Sequence, residues 1–255
     1  RKGGNIFGET MDGKEKHNIE AIKIFDSILE KNKLNSNAWY EKPCCYWNLK
    51  KYDDATDCLK ESIKINPYKM NYWHELGEIE SALSNPIQAI LHYDKAIEIN
   101  PTSENYIGKA KALDDLKKYD DAIECYDDAI STYDENRLLF PFAYKTKVIA
   151  NIWILKGNTL EDQNKSKDAI VCYEKSIELD PNDEVPFCNK GNCLRKLKEY
   201  DDAIITLNHV LEINPKYQWA YFIKILTYAD WEKYSDAIKL AEDTLEQFKN
   251  EVTNY

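Results

Sequence analysis

Alanine returns in this chain at nearly fixed intervals. Ala21, Ala55, Ala89, Ala122, Ala169, Ala203 and Ala237 lie 34, 34, 33, 47, 34 and 34 residues apart. The surrounding residues return with it: Tyr52 opens Tyr-Asp-Asp-Ala, Tyr119 and Tyr200 open Tyr-Asp-Asp-Ala-Ile, and Tyr234 opens Tyr-Ser-Asp-Ala-Ile, while Pro86 and Ser166 begin looser copies. A period in the range of about 20–50 residues specifies a stack of small units, each burying its apolar face on the next, rather than one closed core. The 255 residues therefore read as a single elongated array over 1–255, not as one or two globules.

Composition agrees with an open helical stack. The chain is 43% hydrophobic and 12% aromatic, enough to fill the seams between helices, and 31% charged, which suits many solvated helix faces. A formal net charge of −11 repels phosphate backbones, and no basic stripe offsets it, so nucleic acid is not expected as a partner. No apolar run reaches the roughly 18 residues of a membrane span, so no membrane partner is expected either. The seven cysteines are odd in number and lack Cys-x-x-Cys spacing, which favours a reducing compartment and a cytoplasmic location. Cys58, Cys125 and Cys172 occupy equivalent places and read as small packing residues.

Along the chain, seven helix pairs are expected, at about 1–33, 34–67, 68–101, 102–149, 150–181, 182–215 and 216–255. In the first, glycines 3, 4, 8 and 13 predict a short leading helix within residues 3–13; a second helix follows from His17 to about Lys31, with Ile19, Ile22, Ile24, Phe25, Ile28 and Leu29 on one face. Pro43 falls within the next helix, where a proline costs about 3 kcal/mol, and predicts a kink or a helix starting near Pro43. The longest alanine interval places an apolar insert at 131–149. Pro141 there predicts a helix start, and a long helix over roughly Phe142 to Asp162. Asn66-Pro67, Asn100-Pro101, Asp180-Pro181 and Asn214-Pro215 close the second helices, because a residue before proline avoids the helical region.

In the third unit, Trp73, Leu76, Gly77, Ala89, Tyr93, Ala96 and Pro101 hold a pattern that Gly157-Ala169-Tyr173-Pro181 and Gly191-Ala203-Leu207-Pro215 repeat. This pattern resembles the tetratricopeptide repeat, and the resemblance covers nearly the whole chain. Pro43 and Ile225 in place of glycine, Asp134 in place of the closing proline, and the insert depart from it. The resemblance implies an all-α solenoid, a right-handed superhelix of about seven helix-turn-helix units. It also implies a concave groove, lined mainly by the first helices, that holds a peptide or helix of another protein.

Transferred to this chain, that geometry places Lys111, Asp114, Asp115, Asn158, Glu161, Asp162, Asn192, Arg195, Trp219 and Phe222 in the groove, together with Tyr40, Cys44, Trp47, His74, Glu78, Ile154 and Cys188. Asn158 and Asn192 follow Lys-Gly, where the family's asparagines grip a ligand backbone by donating and accepting at once. Asp114, Asp115, Glu161 and Asp162 make the middle acidic and predict a ligand carrying lysine or arginine. The family's clamp for acidic tails needs cations where this chain has Ile154, Trp219 and Ile223, so that use is not expected. The last helix pair lacks an evident polar cap, and self-association through the C-terminal end is a further expectation.

Catalysis has little support in the residues. His17, His74, His92 and His209 are scattered across units without metal-ligand spacing, and no phosphate-binding loop or His-Glu-x-x-His occurs, so neither a metal nor a cofactor is expected. The paired acids recur with the repeat and belong to helix starts, where negative charge suits the helix dipole. The expected function is a non-catalytic protein-interaction scaffold. The alternatives are a targeting domain of a larger enzyme, for which an opening Arg1 leaves room, and a structural tile in a large assembly that uses the insert.

Overall fold

A computed structural model describes the backbone of residues 11–135 and 142–252, with side chains over 13–133 and 146–249. Thirteen α-helices and no strand occur among the described residues. They fall in two compact bodies, divided between Lys117 and Lys118. The first holds α1 (Met11–Lys31), α2 (Ser36–Asn48), α3 (Tyr52–Ile65), α4 (Met70–Ala82), α5 (Pro86–Ile99) and α6 (Ser103–Asp115). The second holds α7 (Tyr119–Glu135), α8 (Phe142–Asp162), α9 (Ser166–Leu179), α10 (Glu184–Lys196), α11 (Tyr200–Ile213), α12 (Gln218–Asp230) and α13 (Tyr234–Val252). Within each body consecutive helices pack on one another, and, apart from α7 and α8, short turns join them.

The recurring alanine is what lets these helices close on one another. Ala55, Ala89, Ala122, Ala169 and Ala203 are wholly buried, and Ala237 nearly so. At the equivalent position of three first helices, α4, α8 and α10, glycine receives a large side chain from the second helix of the pair. A Cβ on Gly77 would lie 2.7 Å from the Tyr93 ring, one on Gly157 2.6 Å from the Tyr173 ring, and one on Gly191 2.9 Å from Leu207. Both tyrosines are fully buried, so any larger residue there must push a packed ring. Tyr93 is held from two sides, because a Cβ on Gly108 of α6 would meet the same ring at 2.4 Å.

Both kinds of turn follow one rule each. After a second helix, the residue before proline leaves the helical region, with φ between −136° and −156° at Asn66, Asn100, Asp180 and Asn214. An aromatic in the following helix then fixes the turn: Trp73 Nε1 donates to the Pro67 carbonyl at 2.9 Å, Trp39 Nε1 to Lys33 at 3.0 Å, and the Tyr221 hydroxyl to Pro215 at 3.1 Å. Between the two helices of a pair, one residue always adopts the left-handed conformation: Lys50, Ser84, Lys117, Asn164, Lys198 and Glu232, at φ 58° to 66°. The amide of the next residue reaches back five positions, as from Lys51 to Tyr46 at 2.8 Å and from Glu199 to Leu194 at 2.9 Å, which is the Schellman closure of a helix. No glycine occupies any of these six sites.

A second periodic device joins one pair to the next. Lysines at one position of the first helix meet an acid on the preceding second helix: Lys42 with Asp26 at 2.6 Å, Lys109 with Asp94 at 2.7 Å, Lys156 with Asp127 at 2.5 Å and Lys190 with Glu174 at 2.7 Å. Lys42 is the most buried of them and also lies against the Trp39 and Tyr46 rings. At the seam of α3 and α4 the equivalent residues are Lys60 and Leu76, so that both members changed and no unpaired acid remains. At the seam of α11 and α12 they are Asn208 and Lys224, and burial without a facing acid lowers the ammonium pKa of Lys224.

Three expectations need correction or completion. No helix starts at Pro43: α2 begins at Ser36, where the Asn35 side chain caps the Ala38 amide at 3.1 Å, and runs through the buried proline to Asn48. The preceding turn thus has its own cap, and the proline fills the slot that glycine holds elsewhere. The helix expected from His17 begins earlier, at Met11, and its face is narrower, since Ile19 and Ile24 are exposed while Leu29 is buried. Residues 3–10 of the expected leading helix, and the insert around Leu138, Leu139, Phe140 and Pro141, lie outside the described residues, while 11–13 open α1. The long helix Phe142–Asp162 is present, and its Ile149 and Ala150 are buried.

Candidate functional site

The exposed faces of the first helices differ between the two bodies. In the first body, a cleft of about 350 Å³ lies between α2 and α4, walled by Pro43, Cys44, Trp47, His74, Glu75, Glu78 and Ile79. A neighbouring cleft of about 300 Å³ between α4 and α6 shares His74 and Glu78 and adds Glu104, Ile107, Lys111 and Asp115. A larger hollow of about 680 Å³ lies on the second-helix side, but its floor includes Lys42, Cys58 and Leu76, the residues that join α3 to its neighbours. It is a seam between repeats.

Hydrogen bonds hold the shared histidine. His74 Nδ1 lies 2.7 Å from Asn105 Oδ1, and Asn105 is buried with its Nδ2 donating to the Asn100 carbonyl at 3.3 Å. That fixes Asn105 Oδ1 as the acceptor and His74 Nδ1 as the donor, which orients the ring between the two clefts. Beside it, burial raises the carboxyl pKa of Glu75 above the usual glutamate value, opposed by a hydrogen bond from Tyr40. Glu78 is exposed, and among the described residues its one hydrogen-bond contact is with the Tyr93 hydroxyl at 3.4 Å.

In the second body the equivalent faces of α8, α10 and α12 are tied to one another. Asn158 Oδ1 accepts from the Tyr173 hydroxyl at 2.8 Å and from Asn189 Nδ2 at 3.0 Å. Glu161 accepts from Asn192 Nδ2 at 2.8 Å, from Lys196 at 2.6 Å and from the Tyr173 hydroxyl at 3.2 Å. Asn192 Oδ1 in turn accepts from Arg195, whose guanidinium pairs with Asp230. Farther along α12, the exposed Trp219 and Phe222 rings stack at 4.9 Å and form an apolar platform.

Elsewhere the reactive side chains are packing. Burial pushes the thiols of Cys58 and Cys172 up to about 11, and those of Cys188 and Cys193 up to about 12, so they stay protonated and poorly nucleophilic. Cys44 is the exposed cysteine. Among the described residues no group of three or more His, Cys, Asp or Glu is arranged to hold a metal ion, and no helix is long and apolar enough to cross a membrane.

Sequence profiles described as tetratricopeptide repeat match residues 36–69, 71–103 and 103–136, and again 150–183 and 186–217. The chain belongs to the tetratricopeptide-repeat family. Heat shock protein STI1 of Saccharomyces cerevisiae is 29% identical to this tetratricopeptide-repeat chain over 86 residues, which are 33% of the chain and 15% of that protein. The solved C-terminal part of a TPR repeat-containing protein from Cytophaga hutchinsonii superposes with a TM-score of 0.72 at 16% identity, covering 92% of this chain and 93% of that one. YrrB, whose structure is described as a TPR protein with an unusual peptide-binding site, gives 0.55 at 19% identity, covering 75% of this chain and 92% of its own. At these identities the structural likenesses establish the fold.

Of the residues singled out from the repeat pattern, Lys111, Asp114 and Asp115 lie on α6 in the first body, with Lys111 and Asp115 lining the second cleft. Asn158, Glu161, Asp162, Asn192, Arg195, Trp219 and Phe222 lie on α8, α10 and α12 in the second. The structure brings Asn158, Glu161, Asn192 and Arg195 into one network, while Asp162 stays exposed outside it. Ile154 and Cys188 are core residues, not groove lining. The sequence pattern did not place Glu75, Asn105 or Tyr173 in the candidate site, and it gave Tyr173 only as a packing residue of the repeat.

Proposed function

We propose that this tetratricopeptide-repeat chain is a non-catalytic interaction module that holds a segment of another protein against the exposed faces of its first helices. The observation that carries this reading is the pair of adjoining clefts along α2, α4 and α6, which share His74 and Glu78 and present hydrogen-bonding groups between apolar walls. A partner segment lying across them meets acceptors and an indole in register with the helix spacing, as extended-peptide recognition requires. Separately, the second body presents its own Trp219–Phe222 platform and the Asn158 amide, whose NH2 makes no hydrogen bond among the described residues. The peptide-binding site in YrrB's description supports the same use of the fold. Thiols that are mostly buried and protonated suit a reducing compartment such as the cytoplasm.

Selection of peptides from a displayed random library against the whole chain tests the reading. Peptides held by the first body should lose binding on Trp47→Ala or His74→Ala, those held by the second on Trp219→Ala, and both should keep it on Leu91→Ala or Ile205→Ala, exposed residues of second helices. Peptides that respond only to the second-helix substitutions, or a library that yields no specific binder, would end it.

A further inference from the structure

The cleft between α2 and α4 has a more particular chemistry than a general peptide groove. Its walls are the half-exposed Trp47 indole, Ile79 and Pro43, and its polar groups are the carboxylates of Glu75 and Glu78 with His74. No lysine or arginine lines it, whereas Glu161 in the second body already holds Lys196. We infer that this cleft receives the arginine side chain of a partner polypeptide, its methylene stem along Trp47 and Ile79 and its guanidinium between Glu75 and Glu78. This rests on the interaction reading above and names what the partner must present.

Three observations select arginine. The apolar walls match the three-carbon stem, and an indole face attracts the planar guanidinium more strongly than it does a hydrated ammonium. The guanidinium carries five donors in a fixed fork, and the cleft supplies two carboxylates, Glu75 and Glu78, as acceptors. Glu75 is held where burial disfavours its charge, so a cation arriving there removes a standing electrostatic cost. With a volume of about 350 Å³ the cleft takes a single long side chain rather than a helix.

The test uses the full chain, labelled with ¹⁵N, and N-acetyl-arginine amide as the probe, with N-acetyl-lysine amide and N-acetyl-citrulline amide as comparisons. Citrulline keeps the shape and loses the charge. The Trp47 indole resonance, assigned by its disappearance in Trp47→Phe, should shift saturably with the arginine probe. Citrulline should bind roughly tenfold or more weakly, and so should the arginine probe to Glu75→Gln/Glu78→Gln, since each removes a close charge pair. That double variant is expected to fold, because it deletes a carboxylate that burial already disfavours; its unchanged helix circular dichroism and thermal midpoint confirm that. Asp243→Asn, on α13 in the other body, should leave the titration unchanged.

Citrulline or lysine binding as tightly as arginine, an unmoved indole resonance, or full affinity in the double variant would each overturn the assignment. If selected peptides depend on Trp47 and His74 but tolerate arginine replacement by citrulline, the arginine pocket fails while the interaction module stands. If no peptide is selected at all, the module itself fails.

Discussion

The first-helix faces of the two bodies use equivalent positions to opposite ends. On α8 and α10, Asn158, Glu161, Asn192 and Arg195 satisfy one another and Lys196, so the surface is a finished hydrogen-bonded sheet of side chains. On α4, the residues equivalent to Asn158 and Glu161 are Glu78 and Ser81; Glu78 has one long hydrogen-bond contact among the described residues, with Tyr93, and stands open in a cleft. The same backbone therefore supplies either a self-paired surface, which favours rigidity, or an unsatisfied one, which favours a ligand. Counting acids along the chain does not distinguish these cases, because neutralisation depends on what the next helix brings.

The largest test of the contrast lies beneath the two faces. Tyr93 is clamped between Gly77 and Gly108, whereas Tyr173 is met by Gly157 alone among the described glycines. After allowing for the better helix propensity of alanine, Gly108→Ala should destabilise by about 2 kcal/mol and Gly157→Ala by about 1 kcal/mol, as overpacking costs do. Urea unfolding midpoints measure both, and equal losses would break the comparison. Next comes the hydroxyl. Tyr173→Phe removes bonds to Asn158 and to the Glu161 carboxylate and should cost about 1.5 kcal/mol, against about 0.5 kcal/mol for Tyr93→Phe.

A smaller effect serves as the control. Lys50→Gly and Lys198→Gly, one in each body, relieve the same left-handed backbone and should each stabilise by about 0.5 kcal/mol, showing that the turns do not share the contrast of the faces. The smallest effect is one of pH. Burial raises the Glu75 carboxyl in the folded chain above its ordinary value of 4.5, so the folded state binds that proton more tightly than the unfolded chain does. Its contribution is present below the ordinary value and is lost as pH rises through the raised one. Glu75→Gln should therefore flatten the stability profile just above pH 4.5 and leave the variant slightly the more stable at neutrality. A profile parallel to that of the native chain would show that Glu75 is not held at a cost.

Much of this architecture was legible in the residues. The alanine interval located α1, α3, α5, α7, α9, α11 and α13, Asn-Pro and Asp-Pro marked where second helices end, and the longest interval called for the helix over Phe142–Asp162 that is present. The left-handed turns were not legible, because Lys50, Ser84 and Glu232 carry no glycine to announce them. They form because the returning amide closes the helix whatever the side chain. Of the two outcomes expected at Pro43, the helix start is absent: the Asn35 cap and the buried packing of α2 hold the turn before the proline. The candidate site was legible only as a list of exposed positions. Glu161 and Lys196 are 35 residues apart in sequence and adjacent in space, and Glu75 owes its character to burial that no local pattern encodes.

The alternation of lysine and acid at the seams has a consequence for rearranging the chain. Each junction works as a lock and its key, and most are interchangeable. Excising residues 167–200, which would splice the start of α9 to the rest of α11, sets Asn208 against Lys224 as before and creates no mismatch. Splicing α3 directly to α6 instead confronts Lys60 with Lys109, two ammonium groups in one half-buried seam. Shuffling of such modules during descent is thus filtered by charge at the joints, and the third pair, with Leu76 in place of the cation, fits behind Lys60 without that conflict.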